Sequence, residues 1–349
     1  MGKTMYILEP LNSKNANLWD EILTQCPDSS AFHATAWRDT LAASFKQLTP
    51  AYFFIKENDT IIGGLPAFVF QPIPQIKMLH SMPWNLFGGI QLMQTASVDT
   101  LTLMQSVEVE LDRFVTEQRL CETIFTLSPN QTQQYGTPLI AAGYQQHDEL
   151  FTHLLKTESD YNLLWNAYNK RVRGAVRKAE KMGVTVYDTN SDSDLEAFYQ
   201  IYLTNQKHFG STPKPLALFR SLLRSNIAKL AIGKREGLII AGLLYLHFNR
   251  TVTLWHEASV PEFLEYRPNN AIFHHIIRWA CEEGYEWVNF GASPPDNHGL
   301  IAHKEQYRAK RSDFCSYIKI HSSLKKTVWE KSEPTLRQIY TWVQHSGRR

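Results

Sequence analysis

A mixed α/β fold built twice from one repeated unit is the architecture that this 349-residue sequence predicts. Three observations carry that prediction. The segments Ala51–Phe70 (AYFFIKENDTIIGGLPAFVF) and Ala228–Phe248 (AKLAIGKREGLIIAGLLYLHF) each read as an apolar strand, a charged turn and a second apolar strand, entered through Gly63-Gly64 or Gly242. Leu111–Pro129 aligns without a gap against Ile276–Pro294, each the end of a helix, a polar turn and a strand stopped by Ser-Pro. Helices alternate with strands along the chain, yet the hairpins rule out a wholly parallel sheet and leave a mixed sheet flanked by helices. Matching order with drifting loops is the mark of a duplication.

Each element has its own local signal. In the first copy a strand is expected near Met5–Leu8 and a helix over Ala16–Gln25. Trp37, Leu41 and Phe45 recur at helical spacing and put a second helix after Phe32, with Trp37 in the core. The hairpin follows, and then MPWNLFGGIQL, a strand interrupted by Pro83 and by Gly88-Gly89. A helix over Val98–Gln118 and a strand over Glu122–Leu127 complete this copy. A connecting strand at Leu150–Leu155 leads to a helix over Tyr161–Met182, stopped by Gly183. Strand Val184–Asp188 comes next, and Ser and Asp caps open a helix over Leu195–Phe209. Helix Lys214–Ser225, the second hairpin, strand Thr251–Ala258, helix Asn270–Glu283 and strand Trp287–Phe290 finish the second copy. The tail, within residues 321–349, reads as one more helix interrupted by Pro334. The expected domains are residues 1–150, with the tail helix packed back on them, and residues 151–320.

Composition narrows the function classes. With 43% hydrophobic and 20% charged residues the chain is neither disordered, collagen-like nor a coiled coil. A net charge of +2 argues against coating DNA, and allows a local basic groove for RNA or phosphate. Cys26, Cys121, Cys281 and Cys315 lack metal-ligand spacing and read as reduced structural thiols of a cytoplasmic protein. The longest apolar stretch, Ile61–Ile76, is broken by three prolines, so no transmembrane segment is expected and membrane contact would be peripheral.

Several residues offer chemistry. Lys170, Arg171, Arg173, Arg177, Lys178 and Lys181 crowd one expected helix; Arg173 and Arg177 share a face with Arg171 beside them, a set able to clamp a phosphate. A solvated basic face explains the same run. Arg38 points away from the apolar face of its helix, toward an acceptor phosphate. Trp84 and Asn85, beside Gly88-Gly89, read either as a substrate platform or as a structural β-bulge. His256 and Glu257 are the best acid/base pair available, and adjacent strand residues face opposite sides. The base role is assigned to His256, with a structural histidine as the default. His274-His275 have no partner at ligand spacing, so no metal site is expected.

The segment EYRPNNAIFHHIIRWACEEGYEWVNFG resembles the acyl-CoA-binding part of the GNAT acyltransferases. Together with FHATAWRDTL, YNKRVRGAVRKAEKMGVTV and GLIAHKEQYRAKR in one order, it makes the chain from Phe32 to Ile320 similar to the FemABX-like group, including its BioF2-like acetyltransferase branch. The resemblance implies two tandem GNAT-like domains and N-acylation of an amine. It implies no tightly bound cofactor, with acyl-CoA or aminoacyl-tRNA as co-substrate and a small-molecule or cell-envelope precursor as acceptor. Lys304 and Tyr307 match the group's Phe/Tyr-Lys-x-x-Phe/Tyr pattern, which makes Lys304 the expected charge stabiliser and places Tyr307 at the substrate. Arg267, Asn269 and Asn270 stand where the family's glycine-rich loop feeds a helix N-terminus, a natural anion site. Pro268 removes one donor from that loop. The first domain is then the acceptor side and the second holds donor and chemistry. The alternative is an inactive module that binds a phosphorylated or glycan ligand, and a third reading is RNA binding by the basic helix with Trp165 and Tyr168.

Overall fold

The structure, a computed structural model, describes residues 6–345. Met5 and residues 346–349, which the expected first strand and tail helix touch, lie outside the described residues. In the first copy the elements are β1 (Tyr6–Pro10), α1 (Asn17–Thr24), α2 (Thr35–Ser44), β2 (Leu48–Pro50), β3 (Phe53–Glu57), β4 (Thr60–Leu65), β5 (Phe68–Ile73), β6 (Ile76–His80), β7 (Gln91–Leu92), α3 (Thr100–Gln118), β8 (Glu122–Thr126), α4 (Pro129–Ala141) and β9 (Gln145–Lys156). In the second they are α5 (Tyr161–Ala167), α6 (Lys170–Lys181), β10 (Thr185–Thr189), α7 (Asp192–His208), α8 (Leu216–Leu223), β11 (Ala228–Arg235), β12 (Leu238–Phe248), β13 (Thr251–Ser259), α9 (Pro268–Glu282), β14 (Trp287–Ala292), α10 (His298–Glu305), β15 (Lys310–Ile320) and α11 (Ser323–His345). Among the described residues no helix is long and apolar enough to cross a membrane.

The chain forms two compact units that are not simple halves. The first comprises the residues up to Leu150 together with Asp313–Pro334. The second comprises Phe151–Ser312 and the residues from Thr335 onward. In the first unit β15 pairs antiparallel with β8, and β8 runs parallel to β6, which is followed by β5 and β2. A second sheet has the order β1-β3-β4-β7. In the second unit the order is β10-β11-β12-β13-β14-β9, with β13 and β14 the parallel pair. Each copy therefore closes its partner's sheet: the first copy's last strand joins β14, and the second copy's last strand joins β8.

One packing device is common to both copies. A Cβ on Gly64 would lie 2.5 Å from the Trp19 ring, and a Cβ on Gly242 would lie 2.5 Å from the Phe198 ring. An aromatic side chain of a helix, α1 in the first copy and α7 in the second, thus rests on bare backbone of the second hairpin strand, and only glycine leaves room for it. The copies differ nearby. β12 runs unbroken, whereas Pro66-Ala67 splits its counterpart into β4 and β5, which join different sheets.

Other departures from the sequence reading have local causes. Ser128-Pro129, read as a strand stop, is also a helix start: the Ser128 hydroxyl accepts from the Gln131 amide at 3.3 Å and Pro129 fills the first helical position of α4. The single helix expected over Tyr161–Met182 is two, because Tyr168 and Asn169 are extended and Asn169 caps α6 through the Arg171 amide at 2.9 Å. The Trp84–Asn85 interruption is neither strand nor bulge but a 3-10 turn over Pro83–Asn85, in which Trp84 and Asn85 have φ of 62° and 55°. α11 runs through Pro334, whose exposed position tolerates one missing donor. Within the first unit the start of α11 docks through Trp329 on Phe70 and Lys326 on Glu122.

Candidate active site

The site-forming strand of the second unit is β13, and an irregularity decides what it presents. Tyr245 pairs with Leu254 and Leu244 with His256, so Trp255 is an extra residue opposite the junction. Tyr245 and Leu243 belong to the core that packs under α9, and Leu254 and Glu257 are their partners on that same face. A β-bulge shifts every later side chain by one, which exchanges the faces. Regular alternation from Val252 and Leu254 would turn His256 inward; the bulge turns Glu257 there instead. This is the correction to the sequence reading.

His256 lies on the other face, against Tyr202 of α7 and Phe219 of α8, with ring centroids 5.2 and 5.4 Å away. Burial pushes its imidazole down to about 3, helped by Lys214, and its Nε2 has no hydrogen-bond partner. It is a neutral aromatic-box histidine at neutral pH, and the structure does not bring it to Lys304.

Lys304 sits on α10 and is only 5% exposed. The helix begins at Asn297, whose side chain accepts from the Leu300 amide at 3.1 Å. The end of β14 is bent to meet it: Asn289 Oδ1 accepts from the Gly291 amide at 2.9 Å and from the Thr152 hydroxyl at 2.6 Å, and Gly291 has φ of 73°. Lys304 Nζ donates to the carbonyl oxygens of Gly291 at 2.7 Å and Ala292 at 3.2 Å. Two of its three donors are therefore fixed.

Glu257 and Lys304 feel each other. Burial lifts the Glu257 carboxyl to about 7, against the pull of the Lys304 ammonium. Burial lowers Lys304 to about 8, with Glu257 resisting. Near neutral pH the pair thus offers a carboxylate that can take a proton and an ammonium that can face negative charge. Nearby, His153 of β9 is fully buried with neither ring nitrogen bonded, 3.9 Å from Glu305.

The α9 entry is built differently from its sequence expectation. Arg267 occupies the left-handed region at φ 60°, Pro268 begins the helix, and the Arg267 carbonyl accepts from Ala271 at 3.3 Å. Asn269 Nδ2 donates to Ser259 Oγ at 3.4 Å, and its Oδ1 is buried without a partner. Asn270 donates to the Tyr307 hydroxyl at 2.8 Å. Tyr307 is fully buried among Tyr168, Phe273, Phe290 and His303, so it braces the site from within and cannot touch substrate directly.

The basic helix also resolves residue by residue. Arg173 donates to the carbonyls of Asn166 and Tyr168, both at 2.7 Å, and so caps α5; it is not part of a phosphate clamp. Arg177 lies over the Trp165 ring at 5.8 Å, exposed, and Arg171 is exposed at the first turn of α6. In the first unit Arg38 pairs with Asp39 at 2.7 Å and lies 5.8 Å from the Tyr52 ring. Trp84 is 38% exposed, edge-on to buried Trp37 at 6.4 Å, with Asn85 next to it. Among the described residues no group of three or more His, Cys, Asp or Glu is placed to hold a metal, and the four cysteines are free thiols.

Comparison with known proteins adds a second line. Residues 166–305, which include Glu257, the α9 entry and Lys304, match the family described as Acetyltransferase (GNAT) domain. A UDP-N-acetylmuramoylpentapeptide-lysine N(6)-alanyltransferase from Weissella viridescens is 21% identical over 127 residues, 36% of this chain. That match spans 38% of the relative's own length. A crystal structure of FemX has the same fold with a TM-score of 0.74 at 14% identity, covering 93% of this chain and 99% of that one. A tandem GNAT protein from the clavulanic acid biosynthesis pathway gives 0.56 at 10% identity, covering 90% and 98%. The chain has the fold of tandem GNAT proteins, and the resemblance to the FemABX-like group read from its sequence holds.

Proposed function

We propose that this protein is an N-acyltransferase that moves an acyl or aminoacyl group onto an amine, with Glu257 as base and Lys304 as the partner of the oxyanion. The carrying observation is the Glu257–Lys304 pair on the α9 face of the second unit. An acceptor amine is an ammonium at neutral pH and must lose a proton before it attacks. Glu257, ionised in part near pH 7, takes that proton directly or through one water. The amine nitrogen then bonds to the donor carbonyl carbon. The remaining donor of Lys304 faces the oxygen that becomes negative, and the C–S or C–O bond to the leaving group breaks as the carbonyl re-forms. The protonated Glu257 or the Lys304 ammonium can return a proton to the leaving group.

The donor is assigned to the α9 entry. Asn269 and Asn270 lie in the first helical turn, where backbone N–H groups lack helical acceptors and the helix dipole favours anions. Arg267 adds a cation at the same turn. With only two such amides after Pro268, this cradle suits one phosphate better than a pyrophosphate wrapped by a full glycine loop. The match to the GNAT family favours acyl-CoA as donor; the alanyltransferase relative favours an aminoacyl donor. The first unit, with Arg38, Trp84 and Asn85, is assigned to the acceptor. A cell-wall precursor carrying a free amine is the acceptor class that the Weissella viridescens relative's name suggests. The activity is placed in the cytoplasm, where the four thiols stay reduced. A binding-only module would have no use for a carboxyl poised near 7 beside a buried ammonium.

One experiment tests the reading. The protein is incubated with a UDP-linked muramoyl pentapeptide and, separately, acetyl-CoA, longer acyl-CoAs or alanyl-tRNA, and products are weighed by mass spectrometry. A product heavier by one acyl or alanyl group identifies the donor. No transfer to this or to simple amines from any donor, by protein that is folded, defeats the proposal.

A further inference from the structure

The first unit holds a cavity of about 380 Å³ lined by Asp112, Thr116, Arg119, His321, Ser322 and Lys325 over an apolar floor. It lies at the turn from α3 to β8 and at the start of α11. Its charges are unbalanced. Asp112 is paired with Lys319 at 3.4 Å, and Lys319 is also bound to Glu108 at 2.6 Å. Lys325 Nζ donates to the Arg119 carbonyl at 3.1 Å, an uncharged partner, and His321 is bonded through Nε2 to the Thr123 hydroxyl. Among the described residues no carboxylate pairs with Arg119, whose side chain is exposed.

The position of Arg119 is itself informative. In the gapless alignment of the two copies it falls opposite Gly284. Both end their helix in the left-handed region, Gly284 at φ 77° and Arg119 at φ 56°. Glycine takes that conformation freely and arginine only with strain. The first copy thus carries a guanidinium where the backbone asks for glycine, and that guanidinium lines a cavity. The α11 start adds donors: the Ser322 carbonyl accepts from the Lys326 amide at 3.0 Å, so the amides of residues 323–325 have no helical acceptor. Ile320, Leu324 and Val328 stand exposed along the same stretch, Leu324 at 78%.

We propose that this cavity binds a phosphate group, held by Arg119, Lys325, the hydroxyl of Ser322, and the first amides of α11. The exposed apolar residues favour an anionic phospholipid headgroup as its source, with a soluble phosphorylated molecule as the other source of the same chemistry. The site is separate from Glu257 and Lys304 and does not rest on the transfer reaction.

The test uses the full chain. Flotation with phosphatidylglycerol/phosphatidylcholine vesicles is compared with pure phosphatidylcholine, and sodium pyrophosphate is titrated in a thermal-shift assay. The double variant Arg119→Asn with Lys325→Gln keeps a residue that accepts the left-handed region, and its circular dichroism shows whether it folds. If the proposal holds, wild-type protein floats with anionic vesicles or gains thermal stability with pyrophosphate, and the double variant loses at least tenfold in that response. Vesicle binding alone, weakened by Leu324→Ser with Val328→Ser, assigns the lipid source; a pyrophosphate response alone assigns the soluble one. The proposal is overturned if wild type responds to neither. It is equally overturned if the double variant responds as wild type does, or if the control Lys170→Gln with Lys178→Gln loses as much.

Discussion

The Lys304 ammonium lies 2.7 Å from the carbonyl oxygen of Gly291, a contact that exists only because Gly291 turns its peptide at φ 73°. This fixes the cation without neutralising it. Replacing Lys304 by Ala removes a fixed charge from the place where negative charge develops, and turnover should fall by about 10²–10³-fold with little change in KM. Arginine should not restore it, since a planar guanidinium cannot replace a tetrahedral ammonium between two carbonyls. Steady-state kinetics of both variants checks this, and full activity in Lys304→Ala would remove the residue from the mechanism.

The pH profile follows from the same pair. Transfer needs Glu257 ionised and Lys304 protonated. With these groups displaced by burial to about 7 and about 8, kcat/KM should rise through the first value and fall through the second, giving a narrow bell whose limbs belong to the coupled pair. In Glu257→Gln the rate should drop by about 10²–10⁴-fold and the acid limb should vanish. An unchanged acid limb in that variant would exclude Glu257 as the base.

Stability should move the opposite way. The folded Glu257 carboxyl sits above its unfolded value of 4.5, so its favourable contribution is complete below that value and lost as pH rises through about 7. Above neutrality the half-buried carboxylate therefore costs stability, about 3 kcal/mol with the opposing pull of Lys304 already included. Glu257→Gln should raise the melting temperature at pH 8 by about 2–6 °C and leave it unchanged at pH 4. A lower melting temperature at pH 8 would refute this.

His256 offers the matching negative. It is on the far face of β13, so His256→Phe, a similar ring in an aromatic box, should keep transfer within about threefold and preserve both limbs of the pH profile. Loss of the acid limb in this variant would return the base role to the histidine.

The glycines that seat α1 and α7 are sensitive to one carbon. Gly242→Ala would set a methyl 2.5 Å from Phe198 and Gly64→Ala one 2.5 Å from Trp19, and each should destabilise by about 1–3 kcal/mol. Phe198→Leu should recover part of the loss in Gly242→Ala but none in Gly64→Ala. Denaturant unfolding of the four variants measures it.

The duplication, the hairpins and the order of elements were legible because they depend on local pattern: apolar runs, turns and glycines. What escaped depends on one-residue events. Trp255 carries no mark of a bulge in the sequence, yet it decides whether His256 or Glu257 enters the site. The helix that carries Lys304 leaves little periodic signal because the Asn297 cap opens only eight residues. Arg173 looks like its neighbours until the break at Tyr168-Asn169 leaves carbonyls for it to cap. Ser128-Pro129 was ambiguous in principle, being both a good strand stop and a good helix start.

The exchange of last strands has a consequence for synthesis. β8 belongs to the first copy, but β15, the strand beside it, begins at Lys310 and is synthesised only after the other strands of the second copy. The first unit cannot complete its sheet while it emerges; it must wait, with an open edge, until the second copy has been made. A cut after Leu150 would strip β15 from the first unit, whereas every residue of the second unit lies beyond that cut, so the first gene fragment alone cannot complete its sheet.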